Sequence, residues 1–527
     1  MPTAHLTGLD VGVVVAYLVG IVAFGLVLSL RKASSEDFFL ASRASTWPVI
    51  GLALLASNIS STTLVGLAGA AYATGISVYN YEWITAVILV FFCVFFLPFL
   101  LKARLYTMPE FLQRRYNGFC RTYFSGLTLF LNIVVDTASA LYGGSLMLSL
   151  IFPHAPLGLI VAALATFAGV YTIAGGLKAV IYTEVVQAIL LLGAATMIAL
   201  TAFGRAGGWR EVMTHVDPAK LSLIRPLGDP TLPWLGLVTG VPLLGFYFWC
   251  TNQFMVQRIL SARNEDHGRW GALFAGLLKL PVLFLMVLPG AAAILIYPHL
   301  PRADLVYPTL MFDLLPTGLL GLAVAGFLAA LMSSIASTFN SASTLFTMDF
   351  VRRARPGLSN AALVRVGRFA TLTFAVLAVL WAPQIQRFGS LWQYLQAVLA
   401  YAAPPVVALY VVGVFWPRAN GAGATAALAV GAVAGVALFV LDALMHVAPL
   451  NFLYVAPILF ALSGLVLVGV SLATPPDPPE KTHGLVWTPA VFRAETLALK
   501  ARPLWRNYRV QGAALLLLTA AIVVWFR

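Results

Sequence analysis

Charge is scarce in this sequence. Only 10% of its 527 residues are Asp, Glu, Lys or Arg, whereas soluble domains carry about 25%. That scarcity excludes a soluble domain of ordinary size anywhere along the chain. Acidic residues are rarest, 19 against 32 basic ones. Cysteine is nearly absent: Cys93, Cys120 and Cys250 lie in or beside apolar runs, with neither zinc spacing nor the number that a disulfide framework needs. No Ser-His-Asp arrangement, metal-ligand cluster or phosphate-binding loop is recognisable, so the chain is not expected to be an enzyme. No Lys or Arg precedes the first apolar run. That run also exceeds an h-region of about 7–15 residues, which argues against a cleaved signal peptide.

What the chain has instead is apolar length. Hydrophobic residues make up 61% of it, in segments of about 20 that recur from end to end, as helices crossing a hydrocarbon core require. The sequence therefore predicts an all-α integral membrane protein with about 14 transmembrane helices. They fall at 9–30, 47–75, 79–101, 121–150, 155–176, 182–204, 232–260, 271–297, 309–350, 362–382, 387–415, 421–441, 453–472 and 508–526. With the N-terminus outside and loops alternating, 24 Lys and Arg fall inside, 7 outside, and Lys279 within a span; Arg31, Lys32, Arg115, Arg258 and Arg269 are among those inside. This is the positive-inside asymmetry, and it predicts a multi-pass cell-membrane protein with both termini outside. The net charge of +13 is then orientation charge with some attraction to anionic lipid, and needs no nucleic-acid partner. The stretch 473–507 reads as a cytoplasmic linker with a basic amphipathic segment lying on the lipid surface.

Several polar groups interrupt this apolar background. Glu82 in YNYEW, Asp136 in NIVVDTASA and Lys279 in GLLKLPVLF fall well inside spans, and Glu184 lies near the end of its own. A charge at the bilayer centre costs at least about 2.5–3.5 kcal/mol, so these groups must face one another or a wet cavity. The run SNISSTT, Ser57–Thr63, sits in the middle of the second span. A continuous helix could satisfy its hydroxyls by bonding them to carbonyls one turn back. Two further features favour a break. The span at 309–350 has its own cluster, LMSSIASTFNSAST, with Ser333, Ser334 and Ser337 on overlapping faces, and 232–260 is loosened at FYFWCTNQ beside Pro242 and Gly245. The interruptions at SNISSTT and FYFWCTNQ open two successive five-helix blocks, the pattern of an inverted-repeat transporter. Carbonyls freed at such a break suit a hard cation. The expected organisation is a leading helix and cytoplasmic loop (1–46), a first repeat (47–204), an extracellular loop (205–231), a second repeat (232–415), and further helices with a linker (416–527).

At the level of motifs, the chain resembles the sodium:solute symporters, and within them the sodium/sugar branch. The matching stretches are LLASNISSTTLVGLAG, YEW at 81–83, YTMPEFLQRRY, GGLKAVIYTEVVQ, WCTNQFMVQRILSARN, LLKLPVLFLMVLPG, LMSSIASTFNSASTLFTMDF and YLQAVLAYAAPP. They are collinear over roughly 10–475. The resemblance implies two inverted five-helix repeats with broken first helices, alternating access, and solute uptake coupled to sodium entry.

Carried over position by position, it implies a sodium site made by carbonyls of Ala56, Ile59 and Ala330 and hydroxyls of Ser333 and Ser334. Glu184 stands where many members have an Asp near the sodium exit path, with Asp136 a second candidate on that path. Glu82, Lys279 and Gln396 match positions that bind sugar hydroxyls, and Thr85 matches a Ser-type hydroxyl. Thr63 replaces a Gln or His, and Gly245 removes a side-chain contact. Phe248 keeps the ring face of a stacking Tyr without its hydroxyl, with Trp249 beside it. Ala336 replaces the Thr of a second sodium site, so one sodium per turnover is expected. The solute implied is a small neutral polyhydroxy molecule such as a monosaccharide. Inositol, a sialic acid, an amino acid or a carboxylate are the alternatives within transport, and a passive channel or membrane sensor the alternatives outside it.

Overall fold

The computed structural model describes residues 6–29, 35–152, 154–387, 391–441, 445 and 450–527. Among these, regular structure is helical, apart from one isolated bridge between Ser45 and Ala262. Of the two ways to satisfy a backbone in lipid, helices and closed barrels, this chain uses the first: helices bond every interior N–H and C=O within the segment.

The membrane helices are α1 (Gly8–Ser29), α2 (Trp47–Asn58), α3 (Ser61–Thr74), α4 (Ile76–Phe95), α5 (Gly118–Ile151), α6 (Leu157–Ala174), α7 (Gly176–Arg205) and α8 (Trp234–Thr251). After them come α9 (Gln253–Leu260), α10 (Glu265–Ile296), α11 (Val306–Leu314), α12 (Leu319–Ala354) and α13 (Asn360–Ile385). The chain continues through α14 (Leu391–Ala402), α15 (Pro404–Phe415), α16 (Gly421–Phe439), α17 (Phe452–Ala473), α18 (Pro489–Lys500) and α19 (Tyr508–Trp525). Among the described residues, twelve helices are long and apolar enough to cross a membrane, or fourteen when the bent pairs α2/α3 and α14/α15 each count as one span.

Burial separates centre from periphery. The most apolar window of α12 is 89% buried within the protein, while that of α1 is 11% buried. The first is therefore the central post and the second faces lipid on most sides. One polar contact fixes α1 to that post. The Asp10 carboxylate accepts from the backbone N–H groups of Gly318 and Gly321, at 2.7 and 2.8 Å. These are orphan donors at the start of α12, where the helix dipole also favours an anion. Elsewhere glycine permits backbone contact. A Cβ at Gly290 of α10 would lie 2.2 Å from the Ala68 carbonyl oxygen of α3.

Two expected spans are divided. The segment 309–350 is the short helix α11 followed by α12, separated at Leu315–Gly318, where Gly318 has φ 85°. The segment 387–415, of which 388–390 lie outside the described residues, bends by 50° at Ala403 ahead of Pro404 and Pro405, because proline cannot donate into the helix ladder.

Three arginines counted as loop charges are not solvated. Arg115 and Arg258 are fully buried, and Arg269 is 4% exposed. Arg115 donates to the carbonyls of Gly413, Ala419 and Trp416 at 2.8–3.0 Å, satisfying acceptors around the end of α15. Setting these three aside leaves the basic asymmetry intact; Arg31 and Lys32 lie outside the described residues. In the linker, Glu495 of α18 bonds Arg269, the Tyr508 hydroxyl (2.7 Å) and Arg509 (2.6 Å). Leu497, Leu504 and Trp505 are exposed beside it.

Candidate solute and ion site

The polar run at 57–63 does turn the chain. Helix α2 ends at Asn58, Ile59 and Ser60 adopt extended angles, and α3 leaves at 64° to α2. The cause is local. Ser60 and Thr63 form a reciprocal capping box: Thr63 N–H donates to Ser60 Oγ (3.2 Å) and Ser60 N–H to Thr63 Oγ1 (3.4 Å). In an unbroken helix these two N–H groups would bond Ala56 O and Ile59 O. The box therefore releases those two carbonyls. Ser61 and Thr62 donate to the carbonyls of Ala140 and Ser139, tying the start of α3 to α5.

Helix α12 passes the break with its serine cluster. Ser334 Oγ donates to Ser57 O at 3.4 Å and to Ala330 O at 3.1 Å. Ser333 Oγ is buried with no hydrogen-bond partner. The serine cluster of α12 thus lies against the end of α2, where the capping box frees two carbonyls. Hydroxyls and carbonyls are both hard oxygen donors, the chemistry that suits a small alkali cation.

The second interruption is milder. Helix α8 closes in a π-type turn over Tyr247–Thr251, Asn252 is extended (φ −65°, ψ 128°), and its side chain caps α9 by accepting from Phe254 N–H at 3.3 Å.

A cavity of about 140 Å³ lies between the two interruptions. One water needs about 10–15 Å³ on this measure, so the space holds on the order of ten water-sized groups. Thr63, Glu82, Thr85, Gly245, Phe248, Trp249 and Gln396 line it. Lys279 does not line it but reaches two of its groups, donating to Glu82 Oε2 and Asn58 Oδ1. The pair is buried: the Lys279 side chain is 0% exposed and that of Glu82 6%. The ammonium also lies 5.7 Å from the centre of the Trp249 ring, within cation–π range. Phe248 stands edge-on to Trp249 and Phe254, at 5.6 and 5.4 Å. Thr63 is partly committed, since its hydroxyl serves the capping box and donates to Asn58 O. A second cavity of about 440 Å³ adjoins the first, with Tyr81 lining both. Gly66, Thr74, Pro230, Asp304 and Asn451 are on its wall.

The two acids expected on an ion path have different surroundings. Asp136 lines the cavity. Glu184 is wholly buried and held in a four-helix knot. Its Oε1 accepts from Ser57 Oγ of α2 (2.9 Å), Ser337 Oγ of α12 (2.5 Å) and Arg258 Nη2 of α9, while Oε2 accepts from Arg258 Nε (3.1 Å). Sequence reasoning assigned no role to Asn58, which holds Lys279, and took Arg258 for a loop charge. The available signal for Arg258 was its place one helical turn after the FYFWCTNQ interruption, still within an apolar span.

Residues 38–431, well over half of the chain, match the sodium:solute symporter family. The protein belongs to that family. It is accordingly a multi-pass membrane transporter rather than an enzyme, in a family whose coupling ion is sodium. The symporter is 34% identical to sodium/glucose cotransporter 4 of Danio rerio, over 93% of this chain and 82% of that one. It is 35% identical to a sodium/mannose cotransporter of Bos taurus, over 92% and 90%. It is 34% identical to sodium/myo-inositol cotransporter 2 of Oryctolagus cuniculus, over 94% and 82%. Its fold is that of a Na+-coupled sialic acid symporter solved in a substrate-bound outward-open state (TM-score 0.80, 21% identity, 89% of this chain and 99% of that one). Mhp1, a nucleobase-cation-symport-1 transporter in a closed conformation, is more distant, at TM-score 0.55 and 16% identity over 86% and 99%. The core is thus two inverted five-helix repeats with broken first helices.

Proposed function

We propose that this symporter couples the entry of one sodium ion to uptake of a neutral monosaccharide. The observation that carries the reading is the buried Glu82–Lys279 pair, anchored on Asn58 at the helix break with its carboxylate on the cavity wall. The pair offers hydroxyl-binding donors and acceptors with its charges offset, which suits a neutral polyol. Sodium lies at the carbonyls of Ala56, Ile59 and Ala330 with Ser333 and Ser334, and orders the break. Solute then sits among Glu82, Lys279, Gln396, Thr85, Thr63 and the Phe248–Trp249 rings.

With both termini outside, the larger cavity is an extracellular vestibule above Tyr81. The Glu184–Arg258 knot then closes the cytoplasmic side, and this is an outward-facing form. Rocking of the repeats, 47–204 against 232–415, would open the knot and release both cargoes inward. The coupling is energetically sufficient. One charge crossing 100 mV supplies about 2.3 kcal/mol and a tenfold sodium gradient about 1.4 kcal/mol, enough for roughly several-hundred-fold accumulation of a neutral solute.

The test is uptake into proteoliposomes under a sodium gradient, with potassium as control and a panel of labelled neutral sugars and inositol. Saturable, electrogenic, sodium-dependent uptake is expected, with Ser334→Ala raising the half-saturating sodium concentration at least about tenfold, or about 1.4 kcal/mol for the loss of one oxygen ligand. Absence of sodium-dependent uptake of every polyol by folded protein would refute the reading.

A further inference from the structure

One carboxylate in the cavity has no partner. Asp136 lines the cavity from the π-type turn Leu131–Thr137 of α5. Its Oδ2 is buried without a hydrogen bond, and among the described residues no ion pair engages it. Three residues on, Ser139 lines the same cavity, and its hydroxyl is also buried and unbonded. The other cavity carboxylate, Glu82, is answered by Lys279. Two other hydroxyls of the cavity wall are occupied elsewhere. Thr338 Oγ1 donates to Ser334 O and pairs with Thr137 Oγ1 at 2.6 Å, and Ser334 Oγ serves Ala330 O and Ser57 O. The cavity wall therefore carries a carboxyl group that no cation or donor on the protein answers among the described residues. A carboxylate out of bulk water without donors is costly, so this wall is built to receive donors from whatever fills the cavity.

We propose that Asp136, with Ser139, is a solute-anchoring and specificity-determining point separate from the Glu82–Lys279 pair, and that it takes a pair of hydrogen-bond donors on the solute. The inference rests on the solute cavity proposed above. A carboxyl group three residues from a serine hydroxyl matches adjacent donors: a vicinal diol of a neutral sugar, or a protonated amine of an amino sugar. A carboxylate on the solute brings no donor to this carboxyl group, so uronic acids and sialic-acid-like sugars are disfavoured.

The experiment is inhibition of sodium-driven uptake of a labelled hexose in proteoliposomes of the full-length protein. The inhibitors are that hexose, its monodeoxy series, its 2-amino-2-deoxy analogue and its uronic acid. The panel is run on the unaltered protein, Asp136→Asn and Ser139→Ala. Asp136→Asn is expected to raise the inhibition constant of the hexose at least tenfold, with half-saturating sodium unchanged. One deoxy analogue should bind about tenfold worse than the hexose to the unaltered protein and equally well to the variant. That lost discrimination is a pairwise coupling, which a packing defect would not produce. Preference for the amino sugar in the unaltered protein, lost in Asp136→Asn, would identify an ammonium as the donor source instead.

Unchanged constants across the panel, or a uniform loss that preserves discrimination, overturn the proposal, as does preferred binding of the uronic acid. If Asp136→Asn shows no cooperative thermal unfolding transition and so is not folded, Asp136→Glu and Ser139→Ala are read by the same criteria. If the unaltered protein takes up no neutral sugar, the proposed function fails by itself. Sodium-driven amino-sugar uptake abolished in Asp136→Asn would still support the anchor, and uptake of neither would overturn both.

Discussion

Replacing Glu82 by Gln removes one charge and keeps the shape, so it isolates what the buried pair contributes. Lys279 is left with no solvent contact. Its remaining partners are Asn58 Oδ1, the new amide oxygen and the Trp249 ring face. Removing one partner of a buried ion pair costs about 3–5 kcal/mol. Two neutral acceptors and an aromatic face retain part of this, which places the expected loss near the lower end, about 3 kcal/mol. Where that loss falls on solute binding it corresponds to roughly 150-fold in affinity. Two readouts separate fold from function: thermal unfolding in detergent and the KM for sodium-driven uptake. The double variant Glu82→Gln, Lys279→Met removes both charges and should recover most of the stability, because a paired buried charge adds little over an apolar pair of similar volume. It should not recover uptake, because the donors and acceptors for the solute are gone. Uptake by Glu82→Gln with a KM within about threefold of the unaltered protein, or restored uptake in the double variant, would refute the reasoning.

The knot at Glu184 makes a parallel prediction. Arg258→Met leaves a fully buried carboxylate held only by the Ser57 and Ser337 hydroxyls, and is expected to destabilise by about 3–5 kcal/mol in detergent unfolding. Adding Glu184→Gln should recover most of it; a single variant within about 1 kcal/mol of the unaltered protein would contradict the account. In the loop before α8, Asp229 has a pH signature. Burial opposes its ionisation, but hydrogen bonds from the Thr231 hydroxyl, the N–H groups of Leu232 and Thr231, and Arg225 hold its carboxyl down at about 2. A depressed folded value means stability that is present above the ordinary range near 4 and lost as the pH falls towards 2. Thermal unfolding should therefore drop more steeply between about pH 4 and pH 2 in the unaltered protein than in Asp229→Asn.

Much of the fold was legible because its signals are local. Apolar length marked the spans from α1 to α19. The break at 57–63 was readable because Ser60 and Thr63 cap each other across three residues, and no distant contact is needed to decide that. Where local signals were mixed, the boundaries shifted. Apolar composition continues from α11 into α12, and only the left-handed Gly318, docked on Asp10 of α1, reveals that these are two elements. The site was legible as a set of residue types but not as a set of pairs. Glu82, Asp136, Glu184 and Lys279 are equally conspicuous as ionisable groups in apolar spans, yet they end in three different electrostatic situations.

By itself, then, the sequence determined that this chain crosses the membrane about fourteen times, that two interruptions open two five-helix blocks, and that oxygen-rich residues gather where those interruptions fall. Those properties follow from composition and from contacts within a few residues. Only the tertiary structure decided which charge meets which. Lys279 finds Glu82 and Asn58 at separations of 197 and 221 residues, and Glu184 finds Arg258 at 74, while Asp136 is left facing the cavity. The physical reason is that a helix apolar on all sides carries no periodic mark of the face it will bury. In a medium that cannot solvate charge, the partner of each ionisable group is set by how the helices pack.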